Sequence, residues 1–311
     1  MTNEICCICD RPVEGIVKTL GGRCFCERHY RHVTQDRKGL WRSTLALIVG
    51  LVIFGLTMWM VGPVLGATLS GGSLIVAGVV LALIPAALWL VIFYLQDRLE
   101  PEPKPYILGI FLLGALLAQG AAIPMTRNLF RVQDWLGDGG MALNLLGQIL
   151  TVGFIQEYLK YVGVRFTIFN SPEFDERVDG IIYGAAMGLG FATMLNIYYV
   201  TSYGGVQLGV GVLRITIEAL AQASFAGISG YFLGRAKFED RPFWWLPAGV
   251  TLAAVLNGLV TFLLDEVSMQ GLKFTPIYSL ILAAVIAGIT FAALFTLMRR
   301  LNATALTTVK L

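Results

Sequence analysis

Long apolar segments separated by short polar stretches dominate this chain. A helix that crosses a bilayer needs about 20 mostly apolar residues in a row. Backbone polar groups left unpaired in hydrocarbon are too costly, so each such segment is expected to be helical. We therefore predict an all-α polytopic membrane protein with about eight transmembrane helices. The predicted spans are 43–66, 73–95, 106–126, 142–168, 179–200, 208–234, 243–264 and 276–298.

Composition and charge support this class. Only 14% of the residues are charged, against about 25% in soluble domains, and lipid is the first partner expected. With the amino terminus placed in the cytoplasm, 19 Lys and Arg residues fall in inside segments and three in outside loops. Loops rich in Lys and Arg remain in the cytoplasm. We therefore predict that both termini are cytoplasmic.

The amino-terminal segment differs from the rest, because it holds all five cysteines and both histidines. Cys6 and Cys9 form a C-x2-C pair, and Cys26 and His29 form a C-x2-H pair. Four such ligands suit tetrahedral structural zinc. A disulfide framework is disfavoured in a reducing compartment. Spacing alone leaves three substitute ligands open, namely Cys7, Cys24 and His32.

These patterns divide the chain into three parts. Residues 1–40 form a predicted cytoplasmic zinc-binding head that is too small to fold on a hydrophobic core alone. Residues 41–300 form the transmembrane bundle, and 301–311 form a short cytoplasmic tail.

Polar residues recur at helical spacing inside four of the predicted spans. A charged group at bilayer depth costs at least about 2.5–3.5 kcal/mol, so such groups are usually paired or functional. They fit either hydrogen bonds between helices or a shared hydrophilic cavity. They are Gln148, Gln156, Glu157 and Lys160 in the fourth span, Asp179 and Asn196 in the fifth, Arg214, Glu218 and Gln222 in the sixth, and Asn257, Thr261 and Asp265 in the seventh.

Four motifs in order along the chain resemble the PrsW family of bacterial intramembrane metalloproteases, which is related to the CAAX-processing type. The resemblance covers roughly residues 90 to 265 and implies a bacterial cytoplasmic membrane. The motifs are DRLEPEPKP (97–105), QEYLK (156–160), DGIIYGAAMGLGFATMLN (179–196) and GISGYFLG (227–234).

The chain departs from the family pattern at the positions expected to bind metal or activate water. The family's EExxK motif has Gln156 in place of its first Glu, while Glu157 and Lys160 match it. Asn196 matches the GFAxxEN motif, and Asp179 opens the same segment. Where the resemblance implies Glu, His and His, this chain has Leu195, Gln222 and Asn257.

The resemblance and its departures together predict a catalytically degenerate pseudoprotease that binds a membrane or peptide partner. The zinc head would be its docking module, and nucleic acid is not expected as a partner. One alternative is an active protease with relocated ligands, drawn from Glu157, Asp179 and Glu218. A second is a transporter or a structural subunit of a membrane complex.

Overall fold

In the computed structural model of the chain, the described residues are 4–6, 11–13, 17–20, 23–34, 45–54, 56–57, 60, 71–96, 101–136, 140–202, 208–269 and 276–307. These residues form a small amino-terminal head and a set of long apolar helices.

The head combines two tight backbone pairings with one short helix. Strands β1 (Lys18–Leu20) and β2 (Arg23–Phe25) pair antiparallel, with Lys18 opposite Phe25. Upstream, the Cys6 N–H donates to the Arg11 carbonyl at 2.9 Å. Helix α1 (Glu27–Thr34) begins directly after β2. Cys6, the first cysteine of the C-x2-C pair, and Phe25 in β2 are both buried.

The remaining helices account for most of the chain. Among the described residues, three π-helical segments lie between or within these helices, at Ala118–Ala122, Met125–Leu129 and Gln148–Gly153. The helices are α2 (Leu45–Phe54), α3 (Gly72–Tyr94), α4 (Lys104–Leu117), α5 (Val132–Leu136), α6 (Gly140–Gly147), α7 (Phe154–Thr167), α8 (Asp179–Ser202), α9 (Leu208–Phe238), α10 (Trp245–Met269) and α11 (Pro276–Thr307).

Within the part of the chain that the structure describes, five helices are long and apolar enough to cross a membrane, and α2 is a shorter apolar helix. The five spans are Ile75–Tyr94, Lys104–Leu129, Asp179–Ser202, Trp245–Asp265 and Tyr278–Asn302. The run from α6 through α7 coincides with the fourth predicted span, and α9 coincides with the sixth. These are the two most polar predicted spans. Together with α2, these helices are roughly consistent with the predicted number of about eight transmembrane helices. The predicted all-α membrane architecture is confirmed.

Helix α8 lies at the centre of the bundle, with 83% of its most apolar stretch buried, against 28% for α11. Small residues let its backbone approach its neighbours closely. A Cβ atom added at Gly180, Gly184 or Gly188 would meet the α9 backbone. The three glycines lie four residues apart, so they form one continuous contact face.

Helix α10 approaches the α6–α7 run just as closely. A Cβ atom at Gly153 would meet the Ala254 carbonyl, and one at Gly258 would meet the Ile149 backbone. This close approach brings the first turn of α7 against the middle of α10, where the candidate site lies.

Candidate functional site

A group of buried polar side chains lies between α7, α9 and α10, and we call it the buried polar cluster. Its members face one another across three mainly apolar helices. They are Gln156, Glu157 and Lys160 from α7, Glu218 and Gln222 from α9, and Asn257 and Thr261 from α10.

Lys160 connects two of these helices. Its ammonium group is almost fully buried, forms an ion pair with Glu157 Oε1 and donates a hydrogen bond to Gln222 Oε1. It also lies 5.1 Å from the centroid of the Phe191 ring, within the range of a cation–π contact. A buried charge of this kind is tolerated only when it is paired and hydrogen-bonded.

Amide side chains complete the network. Gln222 Nε2 donates to Gln156 Oε1 at 3.0 Å and to Glu218 Oε1 at 2.8 Å. Asn257 Nδ2 donates to Glu157 Oε1 at 2.6 Å and to Gln156 Oε1 at 3.2 Å. Among the described residues, Glu157 Oε2 is a buried atom that receives no hydrogen bond. The remaining polar atoms largely satisfy one another, as buried polar groups must.

The π-helical segment before α7 helps to position this network. A π-helical turn accommodates an extra residue, and such turns are frequent at functional sites. Here the segment ends at Gly153, and Gln156 and Glu157 follow in the first turn of α7. Both side chains therefore face α9 and α10 rather than lipid.

Other residues singled out from the sequence lie outside the cluster. Asp179 accepts hydrogen bonds from the backbone N–H groups of Asp175 and Glu176. Asn196 Nδ2 donates to the Ile215 carbonyl at 3.2 Å. Leu195 packs in an apolar group with Phe191 and residues of α7. The structure thus brings together Gln156, Glu157, Lys160, Gln222 and Asn257, and it leaves Asp179, Asn196 and Leu195 elsewhere.

The polar stripes of α9 and α10 continue beyond the cluster toward Asp265. Gln148 Nε2 donates to Asp265 Oδ2 at 2.8 Å, and Arg214 lies 4.0 Å from Asp265 Oδ1. The Arg214 guanidinium also stacks over Tyr199, 3.7 Å from the ring centroid. The spacing of Arg214 and Glu218 favours a pair within α9, but Arg214 lies against Asp265 of α10 instead.

A second candidate site lies in the head. The side chains of Cys6, Cys26 and His29 place their ligand atoms within 4.8 Å of one another. His29 Nδ1 is 3.5 Å from Cys6 Sγ and 3.2 Å from Cys26 Sγ. Ligands sharing a tetrahedral zinc ion are separated by about 3.5 Å. These three residues could therefore bind a metal ion.

Of the four remaining candidate zinc ligands, the structure describes the side chain of Cys24. Cys24 Sγ donates to Glu4 Oε2 at 2.9 Å, and this hydrogen bond raises the pKa of the Cys24 thiol above its usual value. Cys7 and Cys9 lie outside the described residues, as does the side chain of His32.

Comparison with known proteins identifies the family. The model for PrsW family intramembrane metalloproteases matches residues 102–294, more than half of the chain. The chain belongs to the PrsW family. This confirms the resemblance found in the motifs, and the cysteine-containing head lies outside the matched region.

Individual PrsW relatives agree with this assignment. Protease PrsW of Geobacillus kaustophilus is 33% identical over 193 residues, covering 62% of this chain and 80% of that protein. Protease PrsW of Bacillus subtilis is 30% identical over 178 residues, covering 57% and 77%. No solved structure matches the chain significantly. The bacterial PrsW relatives and the apolar helices together indicate a multi-pass membrane protein whose helices contact the lipid bilayer.

The PrsW family name implies a metal, but the buried polar cluster does not fit one. Both histidines of the chain are in the head, and catalytic zinc sites normally use three protein ligands that include His. Gln156, Gln222 and Asn257 offer amides, which are poor zinc ligands. The Lys160 ammonium also lies on Glu157 Oε1, where it would repel a metal ion.

Proposed function

We propose that this chain is a catalytically degenerate PrsW-family protein that binds a membrane or peptide partner instead of cleaving one. The observation that carries the proposal is the convergence of Gln156, Gln222 and Asn257 around the Glu157–Lys160 pair. These are the positions where the family resemblance implies Glu, His and His. An amide can neither act as a general base nor replace imidazole as a zinc ligand.

The amides also suit a site without metal. An ionised carboxylate at position 156 would add a third buried acid to Glu157 and Glu218, and Lys160 alone cannot neutralise all three. Gln156 instead accepts hydrogen bonds from both Gln222 and Asn257. The substitutions are therefore mutually compatible, and they make the cluster a cross-link between helices.

A small cavity of about 10 Å³, which is room for about one water molecule and too small for a peptide, lies between α7 and α9. It extends to Lys160 and is lined in part by Tyr161, Ser229 and Gly230. Ser229 Oγ is buried and has no hydrogen-bond partner among the described residues.

We further propose that residues 1–40 bind one structural zinc ion through Cys6, Cys9, Cys26 and His29. The cluster of Cys6, Cys26 and His29 supports three of these ligands, and Cys9 is assigned from its C-x2-C spacing. The head and both termini would lie in the cytoplasm, as the distribution of Lys and Arg predicts. The head would dock a cytoplasmic segment of the partner.

The first test is elemental analysis of zinc in the full chain purified in detergent. We expect one zinc per chain, and none in a full-chain Cys6→Ser, Cys26→Ser variant. Cys24→Ser is the matched control and should keep its zinc, because Cys24 is directed to Glu4. Loss of zinc from the Cys24 variant would contradict the proposed ligand set.

The same measurement tests the main competing function, an active metalloprotease. That alternative is favoured by the family match, and Glu157 and Glu218 both contribute to the cluster. An active core needs its own metal, so stoichiometric zinc would persist in the Cys6→Ser, Cys26→Ser variant. That result would overturn the degenerate assignment, and loss of peptide cleavage in Glu157→Gln would then identify the site.

A further inference from the structure

Two motifs that carry the family resemblance have no role in the proposed function. DRLEPEPKP contributes Glu102, which precedes α4, and DGIIYG contributes Asp179, which begins α8. Both side chains are buried, with 4% and 1% of their surface exposed. The Tyr183 hydroxyl, one helical turn after Asp179 on α8, donates to Glu102, and this contact holds the Glu102 carboxyl group beside that of Asp179. This acid pair lies apart from the buried polar cluster.

The hydrogen-bond donors around the acid pair are distributed unequally. Asp179 Oδ2 accepts from the backbone N–H groups of Asp175 at 2.7 Å and Glu176 at 2.5 Å. Glu102 Oε2 accepts from the Tyr183 hydroxyl. Asp179 Oδ1 is buried and receives no hydrogen bond from any described N–H or hydroxyl group. Two N–H donors stabilise an ionised Asp179 more than one hydroxyl stabilises an ionised Glu102.

We propose that Glu102 and Asp179 form a proton-binding site that holds one shared proton on Glu102. Two carboxylates in contact cannot both ionise without strong repulsion. Because Glu102 Oε2 is occupied by Tyr183, the proton lies on Oε1 and is donated to Asp179 Oδ1. This hydrogen bond ties the connection between α3 and α4 to the first turn of α8.

The charged groups that the structure describes near the pair leave an excess of negative charge around it. Lys237 at the end of α9 donates to the carbonyls of Phe169 and Phe174 rather than to either acid. The further groups that face the pair or Lys237 are Glu173, Asp175 and Glu176 before α8, Tyr183 on α8 and Arg165 on α7. Among these described groups acids outnumber bases, which favours retention of the proton.

The site makes the stability of the bundle depend on pH in a defined direction. The proton is present at low pH and is lost as the pH rises. Two adjoining carboxylates then repel, and the α3–α4 connection loosens from α8. The inference does not depend on the proposed loss of proteolysis, since neither acid belongs to the buried polar cluster.

The test is thermal unfolding of the full chain in detergent from mildly acidic to alkaline pH. Wild type should lose a few degrees of Tm relative to Glu102→Gln as the pH rises. The Gln amide can accept from Tyr183 and donate to Asp179 without titrating, so this variant keeps the hydrogen bond. All other titrating groups are the same in both proteins, so their difference isolates the acid pair.

Two further measurements make the test decisive. Infrared spectroscopy should show a protonated carboxyl band in wild type at neutral pH that is absent from Glu102→Gln. Glu102→Gln should also be more stable than Asp179→Asn, because the Asn replaces a charged acceptor of two N–H groups. The reverse order would overturn the placement of the proton on Glu102.

Two outcomes would overturn the proton-binding site itself. One is an identical pH profile for wild type and Glu102→Gln. The other is stabilisation of wild type, but not of Glu102→Gln, by added Mg²⁺ or Ca²⁺ at alkaline pH, because the acids would then bind a metal ion instead of a proton.

Discussion

Lys160 carries the only described cationic group in contact with Glu157, and neither side chain reaches solvent. Replacing Lys160 by Met removes the positive charge, keeps most of the side-chain volume and leaves Glu157 charged and unpaired. Breaking a buried pair in this way typically costs about 3–5 kcal/mol. We expect Lys160→Met to lower the free energy of unfolding by that amount, measured by denaturant titration in detergent.

The matched control is the double variant Glu157→Gln, Lys160→Met, in which both charges of the ion pair are removed together and Glu157 is no longer left as an unpaired carboxylate. We expect it to be more stable than Lys160→Met alone, since replacing both partners of a buried pair is often neutral. The two substitutions should therefore be strongly non-additive. Additive losses would show that the ion pair contributes little and that the amides alone hold the cluster.

Residues differ in how far sequence alone could place them. The i, i+3 spacing of Glu157 and Lys160 allows the ion pair that forms, because both lie on one helix. The hydrogen bond from Gln148 to Asp265 joins residues 117 positions apart, and no local pattern specifies such a partner. Tyr183 and Glu102 were not singled out as site residues for the same reason. The sequence motifs indicated only the segments in which these two residues lie.

Elements were more predictable than partners, because membrane helices require long apolar segments. The third predicted span, 106–126, coincides with Lys104–Leu129, and the fifth, 179–200, with Asp179–Ser202. The π-helical segment Gln148–Gly153 could not be predicted from a regular helical period. It alters which residues of the fourth span share a face, and Gln148 donates to Asp265 instead of joining the buried polar cluster.

Helix α4 offers a test of close helix packing with an internal control. A Cβ atom at Gly114 would meet the Met187 carbonyl of α8, whereas nothing lies within 4 Å of one at Gly109. Gly114→Ala should therefore force the helices apart and destabilise the protein by about 1–3 kcal/mol. Gly109→Ala should be neutral or stabilising by up to about 1 kcal/mol, because Ala favours helix.

Thermal unfolding of both variants in the same detergent checks this prediction. Because both substitutions are Gly→Ala in one helix, their difference isolates the contact with α8 from helix propensity. Equal Tm values would mean that α4 and α8 are not in backbone contact in the folded protein.

At the scale of the whole molecule, the arrangement of the helices does not specify which side faces the cytoplasm. The distribution of charged residues must therefore indicate the orientation in the membrane. The sequence places 19 Lys and Arg residues on one predicted side and three on the other. This asymmetry fixes the orientation only if the number of spans is even and both termini share a side. The orientation also decides whether the cysteines of the head lie in a reducing compartment, where zinc binding is favoured over disulfides.

Reporter fusions in a bacterial host test this orientation directly. Green fluorescent protein at the carboxyl terminus should be fluorescent, because it folds in the cytoplasm. Alkaline phosphatase inserted beside Lys273, in the predicted outside loop, should be active, because it needs the oxidising periplasm. Active phosphatase at the carboxyl terminus would instead place the tail outside. In that case either the number of spans is odd, or the head and its cysteines also face the periplasm. With the head in the periplasm, a reducing compartment would no longer favour zinc binding over disulfides.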